Sequence, residues 1–237
     1  MISKPLISVV IPAYNEEKYL PDCLESLDSQ TLPREKYEVI VVDNNSTDKT
    51  AEVAQRYGSR LIGCQVQGVS ASRAVGSAAA QGEIITGTDA DTRVVNNWLE
   101  VILEAFEDSE VVALTGPVVP KEGATLAQRA AFGVGQKIYW LVGKLWRKTY
   151  LYGMNFAVRR SAYENAGGFD PNLRAGEDTD LTERVSKFGK IKYDRRMKVY
   201  TSTRRLEEGY LKSFTRYSWN FILLKLGKKP PGFSNYR

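Results

Sequence analysis

The chain has 237 residues, 43% of them hydrophobic, and a formal net charge of +5. This size and apolar content suit one large α/β domain or two small ones and argue against disorder. With two cysteines and no histidine, the chain lacks the usual zinc ligands and the base of Ser-His-Asp catalysis, so any metal would be Mg²⁺ or Mn²⁺ bound mainly by oxygen.

The first half alternates predicted strands and helices. Apolar runs predict the strands, and apolar residues at helical spacing predict the helices between them. Such alternation is typical of the α/β class, with crossover connections, a mostly parallel sheet and ligands bound at the carboxyl ends of the strands. In chain order we predict a strand at 6–11, a helix at 19–27, a strand at 38–42, helices at 47–57 and 70–81, a strand at 84–88, a helix at 97–106 and a strand at 111–119 that Gly116-Pro117 could interrupt.

The second half is less regular. We predict a helix over 126–150, a strand at 153–158, a helix over 177–188, two short strands within 190–201 and a helix-like tail over 207–226. From Gly209 onward the chain has six Lys or Arg residues and no Asp or Glu. Such a basic tail suggests an anionic partner, which could be membrane lipid, nucleic acid or a phosphorylated substrate.

An acidic triplet, Asp89-Ala90-Asp91, follows the strand at 84–88. Two carboxylates placed two residues apart at a strand end can hold a divalent metal, and the metal can hold a diphosphate. Polar clusters at 12–16 and 43–48 also follow strands, and parallel strands end at the same edge of a sheet. The three clusters therefore predict one site for a nucleoside diphosphate. The simpler alternative for the triplet is a pair of surface carboxylates at a strand end.

The order and spacing of several motifs resemble family 2 glycosyltransferases, which have the GT-A fold. The resemblance implies one GT-A domain, 1–237, with a nucleotide-sugar half at 1–120, an acceptor and catalytic half at 121–206 and a basic helical tail at 207–237. It also implies helices on both faces of a Rossmann-like sheet. The segments that carry it are 9–17, 39–48, Arg73 with 82–84, the acidic triplet, 153–158, 167–169 and 176–181.

The resemblance implies inverting, metal-dependent transfer of one sugar from a UDP- or GDP-linked donor to a hydroxyl of a glycan or lipid-linked acceptor. Asp178 would be the base that takes the acceptor's proton, with Glu177 as its nearest rival. Asp91 would bind the Mg²⁺ or Mn²⁺ directly, with Asp89 beside it near the ribose and diphosphate. Asp43 would accept a hydrogen bond from the ring N–H of the nucleotide's base, and Arg73 would contact the diphosphate. The remaining donor-site residues would be Pro12, Ala13, Tyr14, Glu16 and Ala90, the first four around the nucleotide.

Several of these residues have simpler explanations. Asp43 could form a turn or cap a helix beside Ser46. Arg73 could be a solvated arginine on a helix. Glu177 and Asp178 could be acids that favour the first turn of a helix.

Two departures from the family pattern matter. Many relatives place a His after the strand near Val199, where it can complete the metal shell. Here water, phosphate or Ser202 would fill that place, and Arg204 or Arg205 is either a diphosphate contact or an ordinary basic surface pair. The processive synthases of the family carry Gln-x-x-Arg-Trp, whereas residues 213–217 contain neither Gln nor Trp. This difference favours transfer of a single sugar.

An aromatic stretch at 132–152 contains interleaved Lys and Arg residues. It is either an amphipathic helix packed on the sheet, with its basic side chains reaching solvent, or a membrane-surface helix that meets a lipid-linked acceptor. The chain shows no recognised nucleic-acid-binding module.

The cellular location of the protein is predicted from features that the sequence lacks. Cys23 and Cys64 lie in unrelated contexts, as is typical of reduced thiols. Residues 1–5 have none of the regions of a signal peptide, and no apolar run reaches the roughly 18 residues of a spanning helix. We expect a cytoplasmic protein that could contact the inner face of the membrane.

Two other functions are considered. A sugar-phosphate nucleotidyltransferase usually has a Gly-rich, Arg-containing loop after its first strand, where this chain has residues 12–16. A nucleotide-binding protein without catalysis would not need both the acidic triplet and Glu177-Asp178. Both alternatives are therefore disfavoured.

Overall fold

The computed structural model describes residues 4–204 and Leu223, so the basic tail and its predicted helix otherwise lie outside the described residues. Its strands are β1 (Ile7–Ala13), β2 (Tyr37–Asp43), β3 (Arg60–Gly63), β4 (Ile84–Gly87), β5 (Thr92–Val94), β6 (Val111–Thr115), β7 (Val118–Pro120), β8 (Phe156–Arg159), β9 (Lys190–Tyr193) and β10 (Val199–Thr201). Its helices are α1 (Leu20–Asp28), α2 (Thr50–Arg56), α3 (Val69–Ala79), α4 (Trp98–Ala105), α5 (Leu126–Leu145), α6 (Arg160–Asn165) and α7 (Glu177–Val185), with a short 3-10 helix at Arg34–Lys36.

Seven strands form one sheet in the order β3-β2-β1-β4-β8-β6-β9. β1, β2, β3 and β4 run parallel, as do β6 and β9, whereas β8 is antiparallel to both of its neighbours. A second sheet has the order β5-β10-β7. The prediction of an α/β fold with a mostly parallel sheet is confirmed. Both sheets contain strands from before and after the predicted boundary between residues 120 and 121. The division of the chain into two functional halves therefore stays a prediction.

The core lies on both faces of the large sheet. On one face, alternate residues of β1 and β2 pack with α1 and α4, around Leu24 and Ile102. On the other face, the remaining residues pack with residues of α3, α6 and α7, around Leu181. Because both faces are covered, β1 and β2 are nearly continuous apolar runs, which is why they are readily predicted.

The strand predicted at 111–119 is interrupted at Gly116-Pro117, the break that the sequence allows, and forms two strands. β6 belongs to the large sheet and β7 to the small one. Gly116 lies at the break, where an added Cβ would come within 1.9 Å of the carbonyl oxygen of Met197. The backbone of another segment thus passes too close for any side chain at this position.

Other differences are in length and number. The helix predicted to end at 150 ends at Leu145, and the strand predicted at 153–158 begins at Phe156. Four elements were not predicted: β3, β5, α6 and the short 3-10 helix at Arg34–Lys36. β3 and β5 have four and three residues, too few to show a period of two, and α6 follows β8 without a loop.

Asn155 joins several elements below the site. Its Oδ1 accepts a hydrogen bond from Trp98 Nε1 at 3.0 Å, and its Nδ2 donates to the carbonyl oxygen of Met197 at 2.8 Å and to that of Pro117 at 3.3 Å. Asn155 and Trp98 are both fully buried. The side chain therefore satisfies polar groups from three segments that water does not reach.

We expect Asn155→Ala to lower the free energy of unfolding by about 3 kcal/mol, because a buried donor and buried acceptors lose their partner. The measurement is urea denaturation. Asn172→Ala, at an exposed position, is the control and should change stability by less than about 0.5 kcal/mol. Equal stability of the two variants would contradict this role of Asn155.

Candidate active site

The segments that follow β1, β2 and β4 meet at one edge of the large sheet. Ala13 at the end of β1 pairs with Asp43 at the end of β2, and Val10 pairs with Gly87 at the end of β4. The three polar clusters therefore lie at the same edge, as the sequence predicts. This edge is where open α/β sheets bind ligands.

The loops after β1 and β2 hold each other through hydrogen bonds. The backbone N–H of Asn15 donates to Ser46 Oγ at 3.0 Å, and Asn15 Oδ1 accepts from the backbone N–H of Thr47 at 2.8 Å. The backbone N–H of Glu16 donates to Thr50 Oγ1 at 2.7 Å. Asn15 adopts a positive φ of 53°, a conformation that Asn tolerates better than most residues.

The predicted nucleotide residues lie on these loops. Ala13 and Glu16 are buried, whereas Pro12 and Tyr14 are half-buried. Asp43 Oδ1 accepts a hydrogen bond from the backbone N–H of Ser46 at 3.1 Å. The turn-forming explanation of Asp43 is therefore observed, and its contact with a nucleotide base stays a prediction.

Arg73 on α3 is buried between two acids. Its Nη2 lies 2.7 Å from Asp89 Oδ1, and its Nη1 forms an ion pair with Glu177. Only 3% of the residue is exposed, so the explanation of Arg73 as a solvated helix arginine is wrong. A charge this deeply buried requires such partners. Its predicted contact with a diphosphate remains a prediction.

Two glycines allow Arg73 to occupy this place. An added Cβ at Gly153 would lie 2.3 Å from Arg73 Nη1. An added Cβ at Gly76, one turn after Arg73, would lie 2.4 Å from Val10 Cγ1. The small residues of α3 thus permit close packing on the sheet, and Gly153 leaves room for the guanidinium.

Asp178 lies in the first turn of α7, after Gly176, which adopts a positive φ of 74°. Asp178 Oδ2 accepts from the backbone N–H of Gly153 at 3.0 Å, and Oδ1 accepts from the backbone N–H of Thr179 at 2.7 Å. Burial raises the pKa of Asp178, and the positive charge of Arg73 and these N–H donors oppose the rise. The result is a carboxylate held in one orientation with an increased basicity.

Glu177 precedes Asp178 directly in sequence, but its environment differs from that of Asp178. Its carboxylate is buried and paired with Arg73. Burial raises the pKa of Glu177, Arg73 lowers it and the charge of Asp178 raises it again. Both acids lie in the first turn of the helix, as their simpler explanation predicts, but each also has a partner from a distant segment.

Arg204, just after β10, contacts the acidic triplet. Its Nε lies 3.0 Å from Asp91 Oδ2, and its guanidinium also pairs with Glu16. The guanidinium carbon lies 4.6 Å from the centre of the Tyr19 ring. Arg204 is therefore not an ordinary surface residue, whereas Arg205 lies outside the described residues. The alternative of a diphosphate contact remains for Arg204.

The oxygen donors fit a divalent metal in part. Asp89 and Asp91 provide the carboxylates that Mg²⁺ and Mn²⁺ prefer. Within residues 4–204, no group of three or more His, Cys, Asp or Glu residues could hold a metal ion. The two aspartates could therefore bind a metal only as part of a shell that water, or water together with substrate phosphates, completes, an arrangement common for Mg²⁺. Ser202, one of the groups that could fill the place of the family's His, accepts through its Oγ a hydrogen bond from the backbone N–H of Arg204 at 3.2 Å.

The sequence of this chain is similar to that of known glycosyltransferases. The family model described as glycosyl transferase family 2 matches residues 8–167, which is more than half of the chain. The chain belongs to this family. Glycosyltransferase AglE of Haloferax volcanii is 32% identical over 193 residues, covering 78% of this chain and 62% of AglE. The probable glycosyltransferase YdaM of Bacillus subtilis is 30% identical over 200 residues, covering 78% of this chain and 47% of YdaM. The chain therefore spans about half to two thirds of the length of these relatives.

Solved structures show the same fold. A mannosyltransferase of Pyrobaculum calidifontis in complex with GDP-Man and Mn²⁺ has a TM-score of 0.73 at 22% identity, covering 97% of this chain and 67% of that protein. Glucosyl-3-phosphoglycerate synthase of Mycobacterium tuberculosis, in complex with Mn²⁺, UDP and phosphoglyceric acid, has a TM-score of 0.68 at 20% identity, covering 97% and 81%. The GT-A fold expected from the sequence is therefore confirmed.

We expect Arg204→Gln to strengthen the binding of Mn²⁺ without nucleotide by about fivefold or more. The physical reason is that an ion pair of about 1 kcal/mol no longer competes for Asp91. The measurement is titration with Mn²⁺ followed by electron paramagnetic resonance. Arg93→Gln is the matched control, because Arg93 lies 3.8 Å from the exposed Glu122. Unchanged or weaker Mn²⁺ binding by Arg204→Gln would contradict the competition.

Proposed function

We propose that this protein is an inverting, metal-dependent glycosyltransferase that moves one sugar from a UDP- or GDP-linked donor to a hydroxyl of an acceptor. The observation that carries the proposal is the buried link from Asp89 through Arg73 to Glu177. It ties the acidic triplet, where a donor diphosphate is expected, to α7, whose first turn carries the candidate base Asp178. The groups expected to act on the donor and on the acceptor are therefore joined in one site.

The donor side would use the edge formed by β1, β2 and β4. The interlocked loops at residues 12–16 and 43–48 would hold the nucleoside, as the family resemblance implies. Two of the similar solved structures contain Mn²⁺ together with a nucleotide or nucleotide sugar. Asp91, with Asp89 beside it, would hold the metal here. When bound, the metal would neutralise negative charge on the departing nucleoside diphosphate.

The reaction needs one base. Asp178 would take the proton of the acceptor hydroxyl as the hydroxyl oxygen forms a bond to the anomeric carbon of the sugar. The bond between that carbon and the diphosphate oxygen would break, and its electron pair would leave with the nucleoside diphosphate. Attack opposite the leaving group inverts the anomeric configuration.

The ion pairs favour Asp178 over Glu177 as this base. Glu177 contacts the buried guanidinium of Arg73, so protonation of Glu177 would leave a buried cation with a weakened partner. Asp178 is held by two backbone N–H groups, from Gly153 and Thr179, and can accept a proton without breaking an ion pair described here. We therefore assign Glu177 a positioning role through Arg73.

We expect Asp178→Asn to bind the donor like the wild type but to transfer sugar at least about 100-fold more slowly, because a general base contributes roughly that much. The measurements are binding and hydrolysis of a panel of UDP- and GDP-sugars with Mg²⁺ or Mn²⁺, then transfer to acceptor hydroxyls with the best donor. Asp180→Asn is the matched control on the same helix, where Asp180 pairs with Arg184 at 3.0 Å.

Two outcomes would contradict the proposal at different levels. If no nucleotide sugar binds with or without metal, the proposed function fails. If Asp178→Asn transfers sugar at the wild-type rate, the function stands and Asp178 is not the base.

The rate should also depend on pH in a defined direction. The base acts only when deprotonated, and burial raises the pKa of Asp178 above its ordinary value of 3.8. We therefore expect kcat/KM to rise with pH through a midpoint clearly above 3.8. The measurement is a pH profile of transfer under conditions where circular dichroism shows the protein to be folded. A rate that stays constant down to pH 3.8 would contradict a base with a raised pKa.

A further inference from the structure

α5 presents apolar side chains to solvent along one face. Leu126, Val134, Leu141 and Leu145 recur at helical spacing, and all four are exposed. Trp140 is 60% exposed and Leu145 is 75% exposed. Within the aromatic stretch at 132–152, packing in the core therefore does not account for Val134, Trp140, Leu141 and Leu145. Large apolar side chains grouped in this way, rather than scattered singly, mark an interaction surface.

The opposite face of α5 holds the helix against the protein. Phe132 packs against the core, and the side chain of Gln136 donates a hydrogen bond to the carbonyl oxygen of Val118 in β7. One face of α5 is thus anchored while the other remains outside.

Positive charge lies among the exposed apolar residues. Lys137, Lys144 and Arg147 are exposed, and the Lys144 ammonium lies 5.4 Å from the centre of the Trp140 ring. Residues 123–163 contain no Asp or Glu. A protein interface would have to bury these lysines with partners, whereas a lipid surface accepts apolar side chains below its headgroups and pairs lysines with its phosphates.

We propose that the outward face of α5, formed by Leu126, Val134, Lys137, Trp140, Leu141, Lys144 and Leu145, lies on the surface of a lipid bilayer that contains anionic lipids. The helix would lie along the surface and not cross it: among residues 4–204, no helix is long and apolar enough to span a bilayer. Exposed tryptophans beside lysines are typical of helices at this depth.

The segment that follows α5 is also tied to α7, the helix that carries Asp178. Lys148 pairs with Glu183, Tyr150 donates its hydroxyl hydrogen to Glu183 Oε1 at 3.0 Å, and the backbone N–H of Leu151 donates to Thr182 Oγ1 at 3.1 Å. A membrane bound at α5 would therefore lie near the acceptor side of the cleft. This step rests on the proposed function and favours an acceptor hydroxyl carried by a lipid.

The experiment measures binding of the full chain to vesicles, with no donor or acceptor present. Vesicles of phosphatidylcholine alone are compared with vesicles of equal parts phosphatidylcholine and phosphatidylglycerol by co-sedimentation. One variant combines Trp140→Ser, Leu141→Ser and Leu145→Ser, and a second combines Lys137→Gln and Lys144→Gln. The control combines Lys187→Gln and Phe188→Ser, an exposed lysine and aromatic outside α5.

We expect the wild type and the control to bind the anionic vesicles better than the neutral ones, and less well at high salt. The apolar variant should bind at least about tenfold more weakly, because each inserted side chain contributes more than 1 kcal/mol. The lysine variant should lose about fivefold in affinity for each charge removed. Circular dichroism checks folding, and the lysine variant keeps the test valid if the apolar variant unfolds.

Several results would overturn the inference. The wild type could fail to bind anionic vesicles, or both α5 variants could bind as well as the control, which would assign lipid binding to another part of the chain. A wild-type dimer that the apolar variant disperses, without vesicle binding, would make the face a contact between two copies. Because no sugar is transferred in these assays, failure here is distinguishable from failure of the proposed function.

Discussion

The site depends on the neutralisation of one buried positive charge. Arg73 is almost fully enclosed, and a lone guanidinium there would be strongly destabilising. Asp89 and Glu177 supply the compensating charge from segments 16 and 104 residues away in sequence. Removing either acid would leave the cation with half of its compensation, so the position of each acid is constrained by the other. This electrostatic requirement links the spatial position of the acidic triplet to that of the first turn of α7.

The two arginines of the site differ in what surrounds them. Arg73 is enclosed by the fold and pairs with Asp89 on one side and Glu177 on the other. Arg204 is partly exposed, with about a quarter of its side chain accessible, and pairs with Asp91 and Glu16 at the rim. The ion pairs of Arg73 are shielded from solvent, whereas those of Arg204 lie where solvent ions or a ligand can reach them. The two aspartates of the acidic triplet thus differ: Asp89 pairs with the enclosed arginine, and Asp91 pairs with the partly exposed one.

Much of the fold and part of the site could be predicted from the sequence. β1, β2 and β4 are apolar runs that end in polar clusters, and pairing of parallel strands then brings Ala13, Asp43 and Asp89 to one edge. The burial of Arg73 could not be predicted, because an arginine among small residues on a helix shows no periodicity that assigns it to the core. The contacts of Arg204 with Glu16 and of Asn155 with Trp98 join residues far apart in the chain, and local patterns carry no information on such pairs. Gly153 was placed within a family motif, but its hydrogen bond to Asp178 depends on tertiary structure.

Gly153 shows how space, and not only charge, limits this site. Its backbone N–H binds Asp178, and the absence of its side chain leaves room for the Arg73 guanidinium. A methyl group at this position would lie 2.3 Å from a nitrogen of that guanidinium, so the Arg73 side chain would have to shift away from its present position between its two acids. Position 153 carries no charge, and yet an added side chain there would displace a charge on which the site depends. The ion pairs of Arg73 are thus sensitive to the size of a residue that takes no part in them.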